Sequence, residues 1–260
     1  MGFLKNKKFL ITGILNKFSI AYGIAQAMNQ QSASLAFTCL NKKNKKKIQA
    51  IAQHFNSNIV ITCNFLNQYN IKKLFINLFK YWDNFDGFVH AIAYAPKRQF
   101  SDNYITSVNK SDFNKTNYMT SYSLVAMIQE CHNRLNPSSA IVTLTYLGSK
   151  IAIPYYNVMG VAKASLESNV KYIANNVTKN RFRINAISAG PIQTISSYSI
   201  PNFKKILKHS KNFSPIKRLV TIDEIGNTAA FLCSNLSSGI TGQVIYVDGG
   251  FSISMMNHLF

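Results

Sequence analysis

The chain has 260 residues, of which 47% are hydrophobic and 12% aromatic, enough for one substantial core and too apolar for a disordered polymer. Its 29 Lys and Arg against 9 Asp and Glu give a formal charge of +20, and nothing before Asp83 is acidic, so the first 82 residues alone carry +12. With 24 of the 29 bases Lys, and Asn, Ile, Phe and Tyr also plentiful, the charge reads as drift in an A/T-rich genome; an acidic partner drawn by so positive a field is the alternative.

Taken in chain order, Lys8 to Thr12 predicts a buried strand ending at Gly13, and Ala21 to Gln30 a helix. The passage between them runs Gly13-Ile14-Leu15-Asn16-Lys17-Phe18-Ser19-Ile20-Ala21-Tyr22-Gly23 and lacks the GxGxxG pattern. Gly13 suits a tight turn, Ser19 and the amides near Ile20 suit a pyrophosphate at a helix N-terminus, and Gly23 suits close approach of helix to sheet. A glycine after a strand is also an ordinary turn residue, so this loop alone does not establish a dinucleotide site.

Strands follow at Ser34 to Thr38 and Asn58 to Cys63, with helices over 44–55 and 68–81. Where a dinucleotide fold usually carries an acid for the adenosine ribose, this chain has Cys39-Leu40-Asn41-Lys42-Lys43. Lys42 and Lys43 suit a ribose 2′-phosphate and hence NADPH, or equally a solvated helix start. Further strands are predicted at Gly87 to Ile92, Ala140 to Leu144, Arg183 to Ile187 and Gln243 to Val247, separated by helices over 116–134, 155–176 and 222–234. This alternation predicts an α/β fold: a single Rossmann-like, doubly wound parallel sheet of about seven strands with helices on both faces, in one domain over 1–260. Ligands in such folds sit beyond the carboxyl ends of the strands.

Beyond the fifth strand lie Tyr146 and then Tyr156 and Lys163, seven residues apart on a predicted helix. That spacing puts phenol and ammonium on one helix face, with Tyr155 one step off it. A cation there is expected to lower the phenol's proton affinity, so that Tyr156 can exchange a proton in a cofactor pocket.

These residues carry a resemblance. Tyr156-x6-Lys163, Asn185-Ala186-Ile187-Ser188-Ala189-Gly190-Pro191 and Gly242-Gln243-Val244-Ile245-Tyr246-Val247-Asp248-Gly249-Gly250 resemble the short-chain dehydrogenase/reductase superfamily. The Gly13-x5-Ser19-Ile20-Ala21 loop, the run Phe85 to Pro96 and the added Tyr146 make the whole chain similar to the bacterial NADH-dependent enoyl-acyl carrier protein reductases. The resemblance implies hydride transfer from the nicotinamide to the β-carbon of a trans-2-enoyl thioester, followed by protonation of the resulting enolate at the α-carbon. It implies catalytic roles for Tyr146, Tyr156 and Lys163, with Lys163 also holding the nicotinamide ribose. Cofactor contacts are implied for Gly13, Ser19, Ile20, Leu40, Asn64, Phe65, Ile92, Ile192, Gln193, Thr194, Ile195 and Ser196, and an acyl contact for Ala95. Implied too are NADH as cofactor with NADPH as the alternative, acyl carrier protein as partner, and a homotetramer.

Three positions depart from the family pattern. Leu40 replaces a glutamine, Asn64 an aspartate whose charge would assist an adenine contact, and Ala93 a glycine beside the nicotinamide. The long segment from Ile192 to Phe213 reads as a substrate lid, in which Phe203, Ile206 and Leu207 oppose Lys204, Lys208 and Lys211 on a short amphipathic helix. That helix is either an ordinary surface element or a docking face for the acidic carrier.

Other residues carry less. His90 is expected to be a packed core histidine and Trp82 a helix-end anchor, while His54, His132, His209 and His258 have no usable spacing. Cys39, Cys63, Cys131 and Cys233 form no CxxC pair or zinc spacing, so no metal is expected and the compartment is expected to be reducing. The start lacks a signal-peptide pattern, and no run of about 18 apolar residues exists for a membrane span; a cytoplasmic protein without membrane insertion is expected. Two rivals remain. One is a ketone or 3-oxoacyl thioester reductase, although Thr143 and Thr145 stand where those enzymes usually place a serine. The other is a basic nucleic-acid binder; the lysines are scattered and no reading motif accompanies them, so no nucleic-acid partner is expected.

Overall fold

The computed structural model describes residues 2–177, 182–195 and 197–254. Seven strands form one parallel sheet: β1 (Lys8–Ile11), β2 (Ser34–Cys39), β3 (Val60–Thr62), β4 (Phe85–His90), β5 (Leu135–Thr145), β6 (Arg183–Ala189) and β7 (Val244–Val247), in the order β3-β2-β1-β4-β5-β6-β7. The order reverses between β1 and β4, which places the crevice expected of a doubly wound sheet at their carboxyl ends. Thr12 fastens that point: its Oγ1 donates to Val89 O at 2.9 Å and accepts from Ala91 N at 3.1 Å.

Side chains alternate across the sheet. Phe9, Ile11 and Phe37 enter one core with Ile24, Met28 and Ile225, while Leu10 and Ala36 enter the other with Ile71, Leu124 and Leu166. Helices α1 (Ile20–Gln30), α2 (Lys42–Gln53) and α9 (Ile222–Leu232) supply the first layer; α3 (Gln68–Leu78), α6 (Ser123–Cys131) and α7 (Asn157–Asn176) supply the second. Burial on both faces is why the strands read as continuous apolar runs.

Three expectations are corrected. The single helix over 116–134 is α5 (Lys110–Asn117), a wide π turn over Tyr118–Tyr122, and α6. Ser123 Oγ donates back to Met119 O at 2.6 Å within that turn, and Thr120 is turned to accept from Tyr94 N at 3.3 Å, against the loop after β4. Second, β5 begins at Leu135 rather than Ala140 and pairs with β4 through an irregularity between Phe85 and Gly87. Third, Gly23 serves helix–helix rather than helix–sheet contact: a Cβ there would lie 2.4 Å from Ile222 O, and one at Gly226 would lie 2.4 Å from Gly23 O, so α1 and α9 cross backbone to backbone. Between β4 and α5 the chain also forms the short α4 (Tyr104–Ser107), which the sequence pattern did not suggest.

As expected, His90 is fully buried between Thr143 Oγ1 at 2.9 Å and Ser123 Oγ at 2.8 Å; burial, with the Lys163 charge nearby, holds it down to about 3, so it stays neutral. Trp82 packs into the second core just past α3. All four cysteines are buried and unpaired. Among the described residues no helix is long and apolar enough to cross a membrane, and no cluster of His, Cys, Asp or Glu could hold a metal.

Candidate active site

A cavity of about 580 Å³ opens at the carboxyl ends of β1, β4, β5 and β6. Its cofactor side is built from the turn after β1. Gly13 has φ +81°, and a Cβ there would lie 2.0 Å from Ala91 O, so both the backbone conformation and the lack of space require glycine. Ser19 caps the loop rather than the helix: its Oγ accepts from Leu15 N and Asn16 N, each at 3.1 Å. Ile20 and Ala21, which open α1, line the cavity, and no acidic residue stands in that turn. Such a helix start attracts an anion.

The opposite wall carries Tyr146, Tyr156 and Lys163, all three lining the cavity. Tyr156 sits at the start of α7 and its ring meets the edge of Tyr146 at 5.0 Å between centroids and 70° between planes. Gly148 makes room for that ring, since a Cβ there would lie 2.5 Å from Tyr156 Cδ1. Lys163 is only 5% exposed and donates to Leu144 O at 2.7 Å; burial brings its ammonium down to about 8, with Glu167 acting in the opposite sense. Burial pushes the Tyr146 phenol up to about 12 and raises Tyr156 as well, with Tyr146 adding to the second. The expectation that Lys163 lowers the Tyr156 phenol is therefore corrected: desolvation dominates, and both phenols remain O–H donors at neutral pH.

Of the other expected contacts, Ser19, Ile20, Ile92, Ala95, Ile192, Thr194 and Ile195 line the same cavity. Leu40 is 49% exposed at the end of β2 and does not. Asn64 is exposed and its Oδ1 accepts from Leu66 N at 3.1 Å; Phe65 is buried in the second core; Gln193 is exposed and donates to Tyr198 OH. Ser196 lies outside the described residues. Residues not anticipated also line the cavity, among them Tyr94 and Phe100 after β4, Met159 on α7 and Ile200 before α8 (Phe203–Phe213). Only their position after strands or in the 192–213 segment could have suggested them. The described residues of the 192–213 segment form no strand; Phe203, Ile206 and Leu207 are half-buried while Lys204, Lys205, Lys208 and Lys211 are exposed, and Phe203 reaches the cavity. Thr143 and Thr145 are both engaged elsewhere, with His90 and with Glu167 Oε1 at 2.7 Å respectively.

The chain is similar throughout its length to proteins of one kind. The family profile described as Enoyl-(Acyl carrier protein) reductase matches residues 13–252. The chain is 52% identical over 258 residues to the enoyl-(acyl-carrier-protein) reductase (NADH) FabI of Buchnera aphidicola subsp. Baizongia pistaciae, covering 99% of each, and 51% identical over 259 residues to that of Escherichia coli, covering 100% of this chain and 99% of the other. Its structure matches the enoyl-(acyl-carrier-protein) reductase (NADH) of Aquifex aeolicus with a TM-score of 0.94 at 40% identity over 100% of both chains. It matches the Anaplasma phagocytophilum reductase, solved in complex with NAD, with a TM-score of 0.93 at 32% identity over 99% of this chain and 96% of that one. Fold, cavity and sequence agree that the chain belongs to the enoyl-acyl carrier protein reductase family.

Proposed function

We propose that this chain reduces the carbon–carbon double bond of trans-2-enoyl-acyl carrier protein to the saturated acyl form with NADH, the last step of the fatty acid elongation cycle. The observation that carries the reading is the pair of protonated phenols, Tyr146 and Tyr156, set edge to face in one cavity with a buried Lys163 and the Gly13 turn. The cavity suits a dinucleotide: the Gly13 cradle and the acid-free start of α1 suit its pyrophosphate, and Lys163 suits its nicotinamide ribose. When bound, the cofactor supplies a hydride.

Tyr156 then donates its O–H to the thioester oxygen, where negative charge develops as the β-carbon is reduced, and the Lys163 ammonium adds positive charge to the same pocket. A donor already fixed in place and protonated needs no reorganisation as that charge forms. Tyr146 packs on the Tyr156 ring and fixes its direction, and the α-carbon takes up a proton from solvent to complete the product. Ala95, Phe100 and Phe203 give the acyl chain an apolar wall, and the 192–213 lid excludes water. Because Thr143 and Thr145 are engaged elsewhere, the strand offers no free hydroxyl of the kind a ketone reductase uses. Lys42 and Lys43 are exposed at the start of α2, and cofactor choice rests on groups other than a ribose-binding acid.

The enzyme works as a cytoplasmic homotetramer, and the exposed lysines of α8 meet the acidic carrier protein. The test is oxidation of NADH and NADPH with crotonyl and acetoacetyl thioesters. NADH oxidation with the crotonyl substrate alone supports the reading, and activity confined to the acetoacetyl substrate overturns it.

A further inference from the structure

Glu167 lies four residues beyond Lys163 on α7, one helical turn away, and is only 2% exposed. A buried carboxylate is costly unless it is held, and the reaction above makes no use of this one. Its Oε1 accepts from Thr145 Oγ1 at 2.7 Å and from Ser149 Oγ. Thr145 ends β5 and Ser149 closes the single turn Leu147–Ser149, so Tyr146 is carried between two hydroxyls tied to one oxygen. Lys150 Nζ stands 3.3 Å from the buried Oε2 outside hydrogen-bonding geometry, giving that oxygen a counter-charge without a bond.

The same carboxylate stands one helical turn from Lys163, beyond ion-pair distance, and the Lys163 ammonium is bonded to one backbone carbonyl. Glu167 is the group that favours the charged form of Lys163 against its burial. Groups on the surrounding elements do not replace it. His90 on β4 is neutral, Tyr156 on α7 and Tyr146 after β5 are raised phenols, and Lys150 is a like charge. Asp112 on α5 is taken up by Arg98 at 2.5 and 2.7 Å, Tyr118 and Tyr122 pair with each other, and Arg183 of β6 turns to carbonyls at the end of α9.

We infer that Glu167 is a positioning residue of this reductase: it fastens the Tyr146 loop to the Lys163 helix and provides the counter-charge behind the Lys163 ammonium. The inference rests on the reductase reading above. Three variants separate its parts. Glu167→Gln keeps an oxygen for Thr145 and Ser149 but removes the charge, Ser149→Ala removes one tie and keeps the charge, and Glu167→Ala removes both.

NADH binding is followed by nicotinamide fluorescence across pH, and kcat/KM for a trans-2-enoyl thioester over the same range. In the wild type both fall as pH rises through the Lys163 titration. In Glu167→Gln the fall moves down by about 1 pH unit, a tenfold loss of NADH affinity on the alkaline side with the acid side unchanged. Ser149→Ala lowers kcat without moving either profile, and Glu167→Ala is impaired at every pH. Glu167→Gln profiles that superpose on the wild type overturn the inference, as does a Glu167→Ala enzyme of wild-type kcat/KM; if Glu167→Ala does not fold, the other two variants carry the test. A wild type that binds NADH with the expected pH dependence but reduces no enoyl thioester overturns the reductase reading instead, and leaves the Lys163 counter-charge standing.

Discussion

Replacing Gly148 by Ala tests whether the placement of the Tyr156 ring, rather than its chemistry alone, sets the rate. The added Cβ would lie 2.5 Å from Tyr156 Cδ1, 2.9 Å from Cε1 and 3.4 Å from Tyr146 Cδ1. Carbon atoms in contact sit ~3.5–4.0 Å apart, so the ring must withdraw by about 1 Å. Turn and α7 are packed backbone to backbone, since a Cβ at Gly160 would itself lie 2.6 Å from Gly148 O, and parting them would cost that contact, so the ring is what yields. A displacement of about 1 Å in a catalytic group costs on the order of 100-fold, or about 2.7 kcal/mol of transition-state stabilisation. NADH oxidation with a trans-2-enoyl thioester should therefore show kcat/KM reduced by about two orders of magnitude. NADH affinity and Tm should stay near the wild type, because neither Lys163 nor the core is touched. A Gly148→Ala enzyme with wild-type kcat/KM would show that the placement of the Tyr156 ring does not limit the rate.

The buried lysine gives a second expectation. Unfolded, Lys163 keeps its proton up to its ordinary 10.5; folded, only up to about 8. Unfolding therefore takes up a proton between those values, and stability rises with pH across that window. Lys163→Met should be inactive yet more stable than the wild type at neutral pH, by up to about 3 kcal/mol less about 1 for the lost bond to Leu144 O. The gain should shrink as pH climbs from about 8 to 10.5; a stability difference from urea unfolding that stays constant across that window contradicts it. Arg183 donates to Leu232 O, Ser234 O and Ser237 Oγ at 2.7–2.9 Å around the end of α9, so Arg183→Met should lose about 3–5 kcal/mol, read as a lower Tm. Changing Lys204, Lys205 and Lys208 to Glu should raise KM for a carrier-bound enoyl substrate and leave that for a small thioester unchanged; equal effects on both remove the docking role.

The sheet was legible because both its faces are buried, which turns each strand into an apolar run between helical patterns. Tyr156 and Lys163 were legible because seven residues on a helix is a local relation that needs no tertiary knowledge. Tertiary relations were not. Gly23 looks the same in sequence whether it meets a sheet or Gly226 of α9, and nothing local tells that the Phe65 side chain packs into the core with Ile71 and Phe75. Nothing local marks the π turn at Tyr118–Tyr122, since a helical pattern continues through it. The rise of the Tyr156 phenol comes from burial, which the sequence does not show, whereas the sequence shows only the cation seven residues on. Glu167 passed unnoticed for a related reason: its partners Thr145 and Ser149 lie 22 and 18 residues away.

The proposed reaction places a hydride on the β-carbon of an enoyl thioester while Tyr156 holds the thioester oxygen. The most direct measurement is the position of the label after turnover with NADH deuterated at the transferring carbon. The wild type should give a saturated product with deuterium on the β-carbon and a solvent proton on the α-carbon, and Tyr156→Phe should form it far more slowly. No turnover of the enoyl thioester, or deuterium recovered only in a 3-hydroxy product from a 3-oxoacyl substrate, would contradict it.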